Sequence, residues 1–261
     1  MTPLDQAFAA MQAAPSDDAA RLAYYARLAD AELCLLLAEE ATGADLTPQM
    51  FDLAEGRFVL MFEGEERMAA FVGEVSAYAA LPGRVVAGLL AGQGIGIGVN
   101  LGSDASLMIP AEAVDWLVEV LGQGPQVVEA QPSQILPPGT LPDALLSALS
   151  VKLAQAAGLA DAAYLAGVRY SSGARGHLLA FVGAGPAAEA ALARAASEAL
   201  TFSGLEAGQM DVTFVGAADA ILHALIRHGL WFDLTRAPGP GADPSPPPAP
   251  GSDPARPPIL R

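Results

Sequence analysis

Apolar positions along this chain switch repeatedly between two periods, and the switches mark out its elements. Leu22, Tyr25 and Leu28 recur at helical spacing behind Ser16, a good N-cap, with Asp17 and Asp18 in the first turn. That pattern predicts a helix to about Ala29. Apolar runs at 31–38, 49–53 and 57–62 predict strands, and helical spacing returns over 65–72 and 82–90. In the second half, a helix is expected over 143–157, closed by Gly158. Strands at 162–170 and 177–182 flank the turn-forming Ser171-Ser172-Gly173-Ala174. A helix from Pro186 to about Leu200, a strand at 210–215, a helix over 217–227 and a short strand at 230–232 complete the series.

The stretch from Gly88 to Val120 carries a possible confusion. Gly92, Gly94, Gly96 and Gly98 suggest a phosphate-cradling loop, yet they fall on every second residue, alternating with Ile95, Ile97 and Val99. A dinucleotide fingerprint needs Gly-x-Gly-x-x-Gly between strand and helix. Period two instead describes a strand with branched residues on one face and a small face for close packing on the other. A turn at Asn100-Leu101-Gly102-Ser103, a short strand over 105–109 and a helix from Pro110 through Leu121 follow.

Strands interleaved with helices in both halves predict an α+β or mixed α/β fold of two small domains, each a mixed sheet covered by helices. The expected divisions are an N-terminal segment at 1–15, a first domain at 16–122, a proline- and glycine-rich connector at 123–142 with room for a short strand near 127–130, a second domain at 143–236, and a tail at 237–261. Ten of the last 25 residues are proline, and no apolar period survives there, which predicts a solvated tail of polyproline II character.

Several short motifs, in order, resemble the SseB or "enhanced serine sensitivity" family of bacteria. Gly56-Arg57-Phe58-Val59-Leu60-Met61-Phe62 is similar to the family's glycine, strand and phenylalanine, and Glu65 to Phe71 to the acidic helix start and aromatic that follow. Asn100-Leu101-Gly102-Ser103 resembles the family's Asn-Pro-Gly-Ser, with leucine in place of proline. The strands at 162–170 and 177–182 and the Trp231-Phe232 ending resemble the family's C-terminal domain, so the likeness spans about 16–234. It implies a cytoplasmic bacterial protein linked by name to serine tolerance, with no catalytic residues to carry over.

Composition narrows the partners. The net charge is -16 and Lys152 is the sole lysine. Nucleic-acid affinity comes largely from neutralising phosphates with Lys and Arg, so nucleic acid and anionic membranes are excluded as partners. Cys34, alone, fits a reducing compartment and sits in an apolar run beside acids, the setting of an inert core thiol. The opening Met1-Thr2-Pro3-Leu4-Asp5 lacks the basic and apolar segments of a signal peptide, and no apolar run reaches the ~20 residues needed to span a bilayer. A cytoplasmic location is expected.

Few chemically reactive groups converge along the chain. There is no Gly-x-Ser-x-Gly elbow. His223 and His228 stand about 140° apart on a helix and lack a third ligand, so no metal and no cofactor is expected. The carboxylates at Glu39-Glu40, Glu63-Gly64-Glu65-Glu66 and Asp17-Asp18 sit at helix starts and turns. Basic groups converge at one place, the hairpin carrying Arg169, Arg175 and His177, the candidate site for an anionic ligand. Pairing with surface acids is the ordinary alternative. Three functional readings follow: a non-enzymatic interaction or regulatory protein with a protein partner, a binding protein for an amino acid or other anion, and an enzyme of unrecognised type. The sequence favours the first and leaves the oligomeric state open.

Overall fold

A computed structural model describes residues 1–41, 46–122, 132–203 and 210–235. The first half contains α1 (Pro3–Ala13), α2 (Asp18–Asp30), β1 (Glu32–Leu36), β2 (Phe51–Leu53), β3 (Gly56–Phe62), α3 (Glu65–Val72), β4 (Tyr78–Pro82), α4 (Gly83–Leu90), β5 (Ile95–Val99), β6 (Leu107–Ile109) and α5 (Ala111–Gly122). Its sheet runs β4-β1-β3-β5-β6, with β2 added to β3. β3 and β5 are parallel and the remaining pairs antiparallel.

Helices cover both faces of this sheet, so its central strands are apolar at successive positions. Alternation sorts them. Leu33, Leu35, Val59, Met61, Ile97 and Val99 enter one core with Tyr24, Leu28, Val86 and Leu117 from α2, α4 and α5. Cys34, Leu36, Leu60 and Phe62 enter the other, against Met68 of α3. The glycine run divides. Gly92 and Gly94 lie in a turn with φ of +73° and +68°, while Gly96 and Gly98 lie in β5. A methyl on Gly96 would strike the Phe58 ring and, at 2.6 Å, the Ile109 carbonyl oxygen. The small face is filled by neighbouring side chains, with no space for a phosphate.

The second half contains β7 (Pro132–Leu136), α6 (Asp143–Gln155), β8 (Ala162–Tyr170), β9 (Arg175–Val182), α7 (Pro186–Phe202), β10 (Met210–Val215), α8 (Leu222–His228) and β11 (Leu230–Asp233). The sheet order is β10-β9-β8-β11, with β7 also on β8; β9 and β10 are parallel. α6 and α7 cover the face bearing Ala163, Leu165, Leu179 and Phe181, and α8 covers Ala166, Val168, Leu178 and Ala180. The chain thus folds as two α+β domains, each a mixed sheet with helices upon it. They touch through α2, α5 and α7, and Phe202 at the end of α7 is buried in the first domain's larger core.

Four local features depart from the sequence reading. Residues 3–13 form α1, started by a capping box: Thr2 Oγ1 accepts from the Asp5 amide, and the Asp5 carboxylate accepts from the Thr2 amide. Asp17, not Ser16, caps α2. β4 lies where no strand was expected, because its alanines favour a strand only weakly; the free edge of β1 supplies the pairing. α8 begins at Leu222, after a turn bonded from the Leu222 amide to the Asp219 carbonyl, rather than near 217. Within the expected connector, 132–136 pairs with β8; the strand expected near 127–130 and the tail at 237–261 lie outside the described residues.

Candidate functional site

The three hairpin cations share one face. Arg169 stands directly opposite Arg175 on the antiparallel β8–β9 pair, and Gly167 opposite His177. Opposed residues and residues two apart project to the same side. All three side chains therefore leave the sheet on the side of Leu165 and Leu179, beyond the end of the α6–α7 core. Gly167 lets the chain after β7 cross close above the strand: a methyl there would lie 2.6 Å from the Pro137 carbonyl oxygen. That crossing brings the Pro138 carbonyl oxygen to 3.0 Å from His177 Nε2. Arg175 is exposed and Arg169 half-buried, and neither forms an ion pair among the described residues. Like charges placed opposite one another repel, and an anion between them relieves the repulsion.

Two further polar centres went unrecognised in the sequence. One lies at the carboxyl ends of the parallel strands β3 and β5. Glu63 Oε2 accepts from Thr2 Oγ1 at 2.9 Å, Asn100 Nδ2 at 3.2 Å and Arg67 Nη1 at 3.3 Å. The Glu63 amide donates to Asn100 Oδ1 at 2.8 Å. Asn100 is buried and left-handed, φ 50°, a conformation asparagine tolerates better than most residues. Its carbonyl oxygen accepts from Ser103 Oγ and Ser106 Oγ. Arg67 grips Asp5 of α1 with two bonds, 2.9 and 2.6 Å, and holds that carboxyl far below the usual range. The Asn100-to-Ser103 motif thus ties two strand ends to α1.

The other centre joins the domains. Arg84 of α4 makes paired bonds to Glu198 of α7, 2.9 and 3.0 Å, and a third to Asp30 at the end of α2. Lys152 of α6 donates to Asp30 Oδ2 at 2.7 Å and Glu198 Oε2 at 2.6 Å. Lys152 and Glu198 are buried, so the quartet is two cations against two carboxylates, largely out of water. Burial pushes the Glu198 carboxyl up, but its bonds from Arg84 and Lys152 prevail and hold it below its ordinary value. A signal for this centre was present: Lys152 occupies the inward stripe of α6 with Leu145 and Leu149, where an apolar residue is the norm.

Beside the quartet, a cleft of about 150 Å³ separates α2 from α6, with α7 as its floor. Its walls are chiefly alanines, with Phe202, Lys152 and Asp30 deeper and Arg27 also on its lining; Arg169, Arg175 and His177 do not line it. Among the described residues no group of three or more His, Cys, Asp or Glu is placed to hold a metal. Burial, with Glu65 nearby, pushes the Cys34 thiol up, away from the reactive thiolate.

The ends of β3 and β5, the Asn100 turn and the helices around them lie within residues 4–116, which match the family model described as the SseB protein N-terminal domain. Over these residues the chain carries an SseB N-terminal domain. The SseB match begins in α1, whose Asp5 completes the strand-end network, and closes at Trp116 in α5. No curated protein and no solved structure matches this chain.

Proposed function

We propose that this protein is a non-enzymatic cytoplasmic bacterial member of the SseB family that acts by binding a protein partner, with its second half corresponding to the family's C-terminal domain. The observation that carries the reading is where charge and apolar surface lie. The buried ionisable groups of both polar centres satisfy one another, whereas Ile226, Leu230 and Trp231 stand exposed around the α8–β11 turn; Ile226 is 58% and Trp231 56% exposed. Aromatic and aliphatic side chains at the surface are the usual anchors of protein interfaces. Cytoplasmic residence rests on the buried free thiol of Cys34; no helix of the described residues is long and apolar enough to cross a membrane.

The test places a photo-crosslinking side chain at position 231 in cells and, as a control, at exposed Glu112. A discrete conjugate at 231, absent from 112 and removed by Ile226→Asp, is expected. Equal, diffuse labelling at both positions would overturn the reading. The opposed Arg169 and Arg175 favour a second reading, an anion-binding protein. Under it, a saturable thermal shift with serine or phosphate vanishes in Arg175→Gln while labelling at 231 stays diffuse.

A further inference from the structure

We infer that the cleft between α2, α6 and α7 binds a short aliphatic monocarboxylate. Alanine faces normally allow two helices to close upon each other. Here Ala19, Ala23 and Ala26 of α2 face Ala144 and Ala148 of α6 across open space of about 150 Å³. At the ~30 Å³ that a water-sized group occupies, that space holds about five heavy atoms. The exposed lining is predominantly apolar, so the body of the occupant is hydrocarbon.

Charge decides the head group. Asp30 and Glu198 are fully engaged by Arg84 and Lys152, so the deep end offers no free acceptor for an ammonium group. Lys152 is likewise committed, to two carboxylates. Arg27 differs: it is half-buried, lines the cleft and the adjoining groove beside Ser150 and Gln155, and has no ion-pair partner among the described residues. A guanidinium at the junction of an apolar recess and an open groove suits a carboxylate whose hydrocarbon lies inward. A free amino acid fits less well, since its ammonium would find no unoccupied carboxylate. The inference is independent of the α8–β11 reading, which concerns another surface.

Calorimetric titration of the full-length protein with 3-methylbutanoate tests it, beside acetate, which has the head without the body, and 3-methylbutan-1-amine, which has the body with the opposite charge. Saturable binding of 3-methylbutanoate alone is expected, weakened about tenfold or more by Arg27→Gln. It should be abolished by Ala23→Leu, which fills the recess from α2, and by Ser147→Leu, which fills it from α6. At least one of these two keeps the native melting temperature, so loss of binding is separable from loss of fold. No saturable heat, equal binding of the amine, or undiminished binding in a folded recess-filling variant would each overturn the inference.

Discussion

Replacing Glu198 with glutamine keeps the shape of the interdomain quartet and removes one negative charge. Three bonds are affected, from Arg84 Nη1 and Nη2 and from Lys152 Nζ. Two cations then face the single carboxylate of Asp30, at a site where the Lys152 side chain is only 6% exposed. An uncompensated buried charge costs about 3–5 kcal/mol. Pairing the change with Lys152→Met leaves Asp30 with Arg84, a neutral pair, and this double variant should lose no more than about 1–2 kcal/mol. Adding Lys152→Met thus restores about 2–3 kcal/mol of what Glu198→Gln alone removes. The chain's two tryptophans make the assay selective, since Trp116 lies in α5 of the first domain and Trp231 in β11 of the second. Urea unfolding of Trp116→Phe and Trp231→Phe backgrounds follows each domain separately. The two probes should coincide in the parent and separate in Glu198→Gln. A loss below about 1 kcal/mol in Glu198→Gln, or a double variant as damaged as the sum of its singles, would refute the view that charge balance matters here.

Acid should release α1. The Arg67 bond holds the Asp5 carboxyl far below its unfolded value, so its stabilisation is complete above that value, about 3.9, and is lost as pH falls through the folded one. Asp5→Asn should cost about 1–3 kcal/mol at pH 7, and the deficit should shrink toward pH 2, as read by urea titration at both pH values. In β5, Gly96→Ala should cost about 1–3 kcal/mol by overpacking against Phe58 and the Ile109 carbonyl, lowering the melting temperature. Gly94→Ala meets no atom within 4 Å and pays only for its positive φ, so it should cost about 1 kcal/mol. A larger loss at Gly94 than at Gly96 would contradict the packing account.

Periodicity made most of the fold legible, because strands buried on both faces and helices with one apolar stripe write their spacing plainly. α3 and β10 fall where the pattern placed them. β4 and β7 escaped because their stability comes from partners distant in sequence, β1 and β8, and their own alanines and proline argue against a strand. The same distance hid the polar centres. Arg84 and Glu198 are 114 residues apart, and each reads as an ordinary helix-surface charge until the domains meet. The hairpin cations were legible because the register of adjacent strands can be counted outward from the turn. Arg27 gave no signal: its meaning depends on a void between two helices from different halves of the chain.

Phe202 has a consequence for biosynthesis. It belongs to the core of the first domain but sits at the end of α7, 80 residues after the last residue of α5. Translation at about 5–20 residues per second separates the two by roughly 4–16 s. Through that interval the first domain's larger core lacks Phe202, and Asp30 and Arg84 await Lys152 and Glu198. The first half therefore emerges as an unfinished receptor for the second, and the seam between the domains closes only once most of the chain has left the ribosome.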